Sequence, residues 1–274
     1  MTLEKTKISE QIQICESFLS VSSPNHEKQR QMLVVRDYLM CLLEPKKFSV
    51  DHCENLRRLS LEYGVDGHTD LKEWILRSRG DVVLLHGRFP EKIQEVRIAD
   101  IPLCDPNNEG NWMGWTKGKL EEKGYTVTCP VIIDVWKAPY QQWKEELDRL
   151  TINENATLVG LSAGGYALLR YLGETGKKVK KVILVAPGAP GMDRNNGPKL
   201  PNEDEFYTYQ ITPRLKSQIQ KQIVIFVSND ESFILRAVEM YGEVLDAHVI
   251  KLKNMGHFSF LIKELPELLN EIVS

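Results

Sequence analysis

Three residue types that together can perform acyl transfer stand in the later part of this sequence, in the order Ser162, Asp230, His257. Ser162 is held between glycines in GLSAG, Gly160 to Gly164, with the apolar run Leu158, Val159, Leu161 around its entry and helix-compatible sequence from Tyr166 onward. A strand, a sharp turn and a helix would place the hydroxyl at the apex of a strained turn, the arrangement of a nucleophile elbow. Strand and helix crowd such a turn, so side chains at the two glycine positions would collide. The pentapeptide alone is short enough to arise by chance, and its context has to carry the argument.

A serine hydroxyl attacks poorly until a base removes its proton, and an imidazole can do that and later protonate the leaving group. His257 is the expected base. A carboxylate that orients the ring and stabilises the imidazolium must reach the other ring nitrogen. Asp230 is favoured by position; Glu231, next to it, and Asp193, after the strand ending at Ala186, are the alternatives. The developing oxyanion needs two N–H donors, which the backbone amides of Ala163 and Arg88 are placed to supply, with Phe89 next in line for the second. His86, before Gly87 at a strand end, is expected to pack and hydrogen-bond in support of that loop. Phe89, Trp136 and Trp112 are the expected apolar walls of a substrate pocket, whereas Trp115 is expected to pack on the sheet. The stretch Met192 to Phe206, within the polar insertion at 188–221, is a candidate lid.

The elements that must position these groups follow from the rhythm of apolar residues. From Asp81 the chain alternates strands and helices: strands at Val82 to Leu85, Thr126 to Val131, the run into Ser162, Val182 to Ala186, Gln222 to Val227 and Ala247 to Leu252. Helices are expected at Trp112 to Lys123, Tyr140 to Leu150, after Ser162, near Phe233 to Tyr241 and from Phe260. Strict alternation implies a parallel sheet covered on both faces, with ligands beyond the carboxyl ends of the strands. Asp230 and His257 both fall at such ends. The expected class is α/β, a reduced, mostly parallel six-stranded sheet over 80–274, preceded by a helical region at 1–79.

That first region reads as four short helices. Ile8, Ile12, Cys15 and Leu19 recur at helical spacing, Ser23-Pro24 resembles a helix start, and a second helix ends before Pro45. A third spans Asp51 to Tyr63 with Gly64 behind it, and Asp70 with Glu73 opens a fourth carrying Trp74, Ile75 and Leu76. His26, His52 and His68 are read as surface or packing residues. The exposed apolar stripes need a partner surface, so a homodimer or a protein partner through these helices is an expectation.

Composition narrows the class. With 274 residues and a formal net charge of −3, the chain has the core of a soluble enzyme and no basic footprint for nucleic acid. Its first twenty residues lack a continuous apolar core and no run reaches the length of a membrane span. Five scattered cysteines without CxxC spacing fit a reduced, cytoplasmic protein with no metal site.

From Asp81 onward the chain resembles the α/β-hydrolase superfamily, and within it the small serine hydrolases of the retinoblastoma-binding-protein type and their bacterial counterparts. The resemblance rests on NWMGW at Asn111 to Trp115, TLVGLSAGGYALLRYL at Thr157 to Leu172, KVILVAP at Lys181 to Pro187, VSNDESF at Val227 to Phe233 and NMGHF at Asn254 to Phe258. It implies a Ser-Asp-His triad on Ser162, Asp230 and His257, hydrolysis of small ester, amide or thioester substrates, and no cofactor. The helical region before Gly80 and the segment between Gly188 and Gln222 depart from the family pattern. The Leu-x-Cys-x-Glu signature for pocket-protein binding is missing, since Leu39-Met40-Cys41-Leu42-Leu43 has no glutamate. Two alternatives to a hydrolase stand beside it: an interaction protein that kept the fold, and a lyase or cofactor-free peroxidase on the same scaffold.

Overall fold

The structure, a computed structural model, describes residues 2–20, 26–62, 81–93, 96–190 and 201–274. The chain divides into two compact units, residues 1–78 with Val273 and Ser274, and residues 79–272. In the first, α1 (Thr2–Ser20), α2 (His26–Leu43) and α3 (Val50–Glu62) are described, with a 3₁₀ turn at Pro45–Lys47. The helical stripe of α1 is buried where it was expected. Ile12 and Cys15 pack on Met32, Val35 and Leu39 of α2, with Ile8 and Leu19 at the edges. Tyr38, Cys41 and Leu56 join α2 to α3. His52 is exposed and stacks on Phe48 with ring centroids 6.0 Å apart. His68, the Ser23-Pro24 pair and the helix expected from Asp70 lie outside the described residues.

The second unit is built on a six-stranded sheet of β1 (Asp81–Leu85), β4 (Thr126–Thr128), β5 (Thr157–Leu161), β6 (Lys181–Val185), β7 (Ile223–Val227) and β8 (His248–Lys251). The order is β4-β1-β5-β6-β7-β8, and every pairing is parallel. All residues of β5, β6 and β7 are buried, as a sheet covered on both faces requires. The covering helices are α4 (Trp112–Glu122), α5 (Tyr140–Asp148), α6 (Ala163–Thr175), the short α7 (Glu203–Phe206), α8 (Ser232–Leu245) and α9 (Pro266–Val273). Trp143, Tyr166, Tyr171, Phe206 and Tyr241 are the large rings of the main core. After β1 the chain steps outward to β4 and then returns to the other side of β1 with β5, so the strand order reverses between β1 and β5. Such a reversal opens a crevice at the carboxyl ends, the usual ligand position in sheets of this kind.

Two expectations need correction, and one element is new. β4 stops at Thr128, because Pro130 has no N–H to continue the ladder. The last helix starts at Pro266 rather than Phe260; proline suits a first helical turn, and the residues after Phe258 serve the turn that carries His257. An antiparallel ribbon of β2 (Lys92–Ile93) and β3 (Val96–Arg97), followed by 3₁₀ turns at Ile98–Asp100 and Pro102–Cys104, was not foreseen. Two-residue strands carry no readable periodicity.

Candidate active site

Ser162 sits between β5 and α6 with φ 51° and ψ −118°, a conformation that costs about 1–3 kcal/mol for a residue with a side chain. Backbone bonds hold it there: its N–H donates to Val185 O at 2.8 Å, and its carbonyl accepts from Gly165 N and Gly188 N, both at 3.1 Å. The glycines are steric necessities. A Cβ on Gly160 would lie 2.5 Å from Gly165 Cα, and one on Gly164 would lie 2.3 Å from His86 O. Ala163 opens α6, so its N–H is among the helix-terminal donors that have no intrahelical acceptor, at the positive end of the helix dipole.

The loop after β1 closes against this elbow. A Cβ on Gly87 would meet Ser162 Cβ at 3.0 Å, which brings the Gly87–Arg88 backbone beside the serine. His86 underlies the loop with both ring nitrogens engaged: Nε2 accepts from Ile132 N at 3.0 Å, so Nδ1 carries the proton and donates to Gly87 O at 2.8 Å. It is a structural histidine, as expected, and not a second base. The Arg88 side chain adds a second anchor, because its guanidinium donates to the carbonyls of Val135, Trp136, Ala138 and Pro201. Sequence reasoning singled out Arg88 for its amide and missed this role.

Burial depresses the His86 imidazole from its ordinary 6.5 to about 4. The unfolded chain therefore takes up a proton below pH 6.5 that the folded chain refuses until about pH 4. Stability from this group is complete above pH 6.5 and is lost as pH falls toward 4, by about 3 kcal/mol. Thermal unfolding from pH 7 to 4.5 should show this decline, and His86→Phe should make it shallower by about one proton's worth of slope. Equal slopes would contradict this assignment.

Asp230 and His257 meet at the ends of β7 and β8. His257 Nδ1 lies 2.7 Å from Asp230 Oδ2; the carboxylate side chain is 2% exposed and the imidazole 44%. Glu231 is instead the N-cap residue of α8 and is exposed, its N–H donating to Asp230 Oδ1 at 2.7 Å. Asp193 lies outside the described residues. Two residues absent from the sequence-based list, Ser228 and Asn229, stitch the two loops together. Ser228 Oγ accepts from Met255 N at 2.9 Å and donates to Asn229 Oδ1 at 2.8 Å, and the same amide oxygen accepts from Gly256 N at 3.3 Å. The hydroxyl of Ser162 makes no hydrogen bond among the described residues; such bonds commonly tighten only when substrate is bound.

Trp112 requires a correction. It is fully buried and is not among the residues lining the cavity that holds Phe89 and Trp136; its indole N–H donates to Phe258 O at 2.9 Å, and its backbone N–H donates to Ile262 O at 2.8 Å. Asn254, Gly256 and Phe258 all have positive φ, so the turn carrying His257 is strained and depends on such ties. Asn111, also buried, caps α4 by accepting from Met113 N and Gly114 N, while its amide donates to Leu103 O and Asp105 O. The NWMGW segment is thus a brace for the histidine turn. Trp112→Phe, which keeps the ring and deletes the donor, is expected to lower kcat about tenfold with little change in KM. Unchanged kcat would show that the brace is dispensable.

Phe89 and Trp136 do line a cavity of about 410 Å³, together with Ile98, Val131 and Val135. Phe89 also packs edge-on against Phe260 at 6.0 Å, joining the loop after β1 to the histidine turn. Of the candidate lid, residues 192–200 lie outside the described part. The remainder is fastened to the body. Phe206 is buried against Trp143, Tyr140 and Tyr166, and a Glu205 carboxylate oxygen accepts from Tyr140 N at 3.0 Å. Among the described residues no cluster of three or more His, Cys, Asp or Glu side chains could hold a metal, and no helix is long and apolar enough to cross a membrane.

Comparison with known proteins agrees with this layout. No curated protein sequence matches the chain. Among solved structures, the ydeN gene product from B. subtilis superposes with a TM-score of 0.57 at 20% identity, covering 70% of this chain and 96% of its own. A structure from a study of carboxylesterases of the thaumarchaeon Nitrososphaera gargenis gives 0.48 at 15% identity, over 72% of this chain and 89% of the other. Est1E from Butyrivibrio proteoclasticus gives 0.46 at 12%, over 71% and 85%. At these identities the ydeN product supports the α/β-hydrolase fold, and the two scores below 0.5 add nothing further. The serine hydrolase family model matches residues 105–261, more than half of the chain and the whole stretch from the NWMGW brace to the histidine turn, so the chain belongs to the serine hydrolase family.

Proposed function

We propose that this protein is a carboxylesterase-like hydrolase of small acyl substrates, acting through Ser162, His257 and Asp230 with an acyl-enzyme intermediate. The observation that carries the reading is the buried Asp230 carboxylate 2.7 Å from His257 Nδ1, on strand ends beyond the same edge of the sheet as the strained Ser162 turn. His257 Nε2 accepts the hydroxyl proton as Ser162 Oγ attacks the carbonyl carbon, and Asp230 steadies the imidazolium that results. The amides of Ala163 and Arg88 receive the negative oxygen of the tetrahedral intermediate. Collapse expels the alcohol, thiol or amine, which takes the proton from His257, and leaves the acyl group on Ser162. Water, deprotonated by His257, then releases the acid. The cavity lined by His86 and Phe89, on either side of the Gly87–Arg88 backbone that abuts Ser162, accords with this reading. The test is turnover of p-nitrophenyl esters by the full chain: saturable hydrolysis is expected, and failure to turn over any ester, thioester or anilide would overturn it.

A further inference from the structure

The cavity beside the loop after β1 is built from parts of the chain that the triad does not use. Every residue lining it comes from 86–106 or 131–136, on the β1 and β4 side of the sheet. Ser162 follows β5, the next strand over, while Asp230 and His257 follow β7 and β8, farther to the opposite side. His86 and Phe89, at either end of the Gly87–Arg88 pair that abuts Ser162, both line the cavity. Its buried lining is formed by Ile98, Ile132 and Val135, each 3% exposed, and by the ring of His86, whose two nitrogens are already engaged by the backbone. Its charged lining residues, Glu91, Arg97, Asp105 and Asp134, are all exposed and so belong to the rim.

We propose that this cavity is the acyl site and selects esters of uncharged acids with an apolar chain of medium length. The proposal rests on Ser162 being the nucleophile. The leaving group must sit where His257 can protonate it, so the acyl chain is directed to the other side of the tetrahedral carbon, the side on which the cavity lies. A volume of about 410 Å³ accommodates a chain of several methylenes and leaves an acetyl group nearly uncontacted. At the rim Asp134 is paired with Lys137 at 3.1 Å, and Glu91 and Asp105 against Arg97 leave an excess of one negative charge, which disfavours an anionic chain end. The wall is supplied by the 3₁₀ turns at Ile98–Asp100 and Pro102–Cys104 and by the run Val131 to Trp136, with Arg97 of β3 at the rim, which gives these segments a purpose.

The experiment compares kcat/KM for p-nitrophenyl acetate, butyrate, hexanoate, octanoate and dodecanoate in the wild type and two variants. Each methylene that enters the cavity should raise kcat/KM by about twofold, half the fourfold of complete burial, so octanoate, six methylenes longer, should exceed acetate by on the order of 100-fold. Ala99→Trp places a ring at the mouth from an exposed position in a 3₁₀ turn, where folding tolerates it. It should reduce octanoate turnover at least tenfold more than acetate turnover. Trp136→Ala, which opens the wall, should move the optimum toward dodecanoate. Lengthening the alcohol instead of the acid should change kcat/KM less than threefold. Acetate turnover without chain-length dependence, or a preference that neither variant moves, overturns the acyl-site proposal and leaves the hydrolase reading standing. If no ester is turned over and Ser162 takes no fluorophosphonate label, both fall together.

Discussion

Ser162→Ala is expected to reduce kcat for ester hydrolysis by about 10⁵–10⁶-fold, to the level that binding and the oxyanion donors supply without a nucleophile. The loss falls on kcat because the hydroxyl bonds to substrate only as the reaction proceeds. Stability should be almost unchanged. Alanine keeps the Cβ, so the φ of 51° is neither relieved nor worsened, and the backbone bonds to Val185, Gly165 and Gly188 remain. A variant with normal melting and no activity therefore separates chemistry from folding. Retention of more than a few per cent of wild-type activity would place the nucleophile elsewhere.

The largest expected effect on stability lies far from the site. Lys181 opens β6 with its side chain 2% exposed, and its ammonium donates to Glu271 O at 2.7 Å and to Glu271 Oε1 at 2.8 Å. Gln222 Nε2 donates to the same carboxylate oxygen at 3.2 Å, so this cluster fastens α9 to the starts of two strands. A buried ion pair contributes little compared with a well-packed apolar replacement, but deleting the carboxylate leaves the buried ammonium without the counter-charge of Glu271. Glu271→Ala is expected to cost about 3–5 kcal/mol, lowering Tm by on the order of 10 °C. The double variant Lys181→Met, Glu271→Leu should recover most of that loss. If the single variant melts within 2 °C of wild type, or if the double variant is no better than the single, the counter-charge of Glu271 does not hold this corner of the fold.

The contrast between these two predictions shows what the chain discloses before it folds. GLSAG is legible because each residue answers a local demand: Gly160 and Gly164 are where they are because a Cβ would strike backbone at 2.5 and 2.3 Å. The pairing of Asp230 with His257 is legible because both follow apolar strands whose ends share one edge of the sheet. Lys181 is not legible. At the start of KVILVAP it reads as a solvated strand end, and its partner lies 90 residues later in the chain. Trp112 fails for another reason, since an indole lining a pocket and an indole buried in a brace have the same sequence; only the bond to Phe258 O distinguishes them. Ser228 and Asn229 were in view beside Asp230, yet their role depends on the positive-φ turn at Asn254 to Phe258, which nothing in the local pattern announces. The same holds for the ribbon of β2 and β3, too short for periodicity, whose Arg97 reaches the cavity rim.

The most direct measurement is mass spectrometry of the 274-residue chain after exposure to a fluorophosphonate. The account predicts one phosphonyl adduct per chain, located by fragmentation on Ser162, absent from Ser162→Ala and formed much more slowly in His257→Ala. An unlabelled wild-type protein, or an adduct that persists in Ser162→Ala, would contradict it.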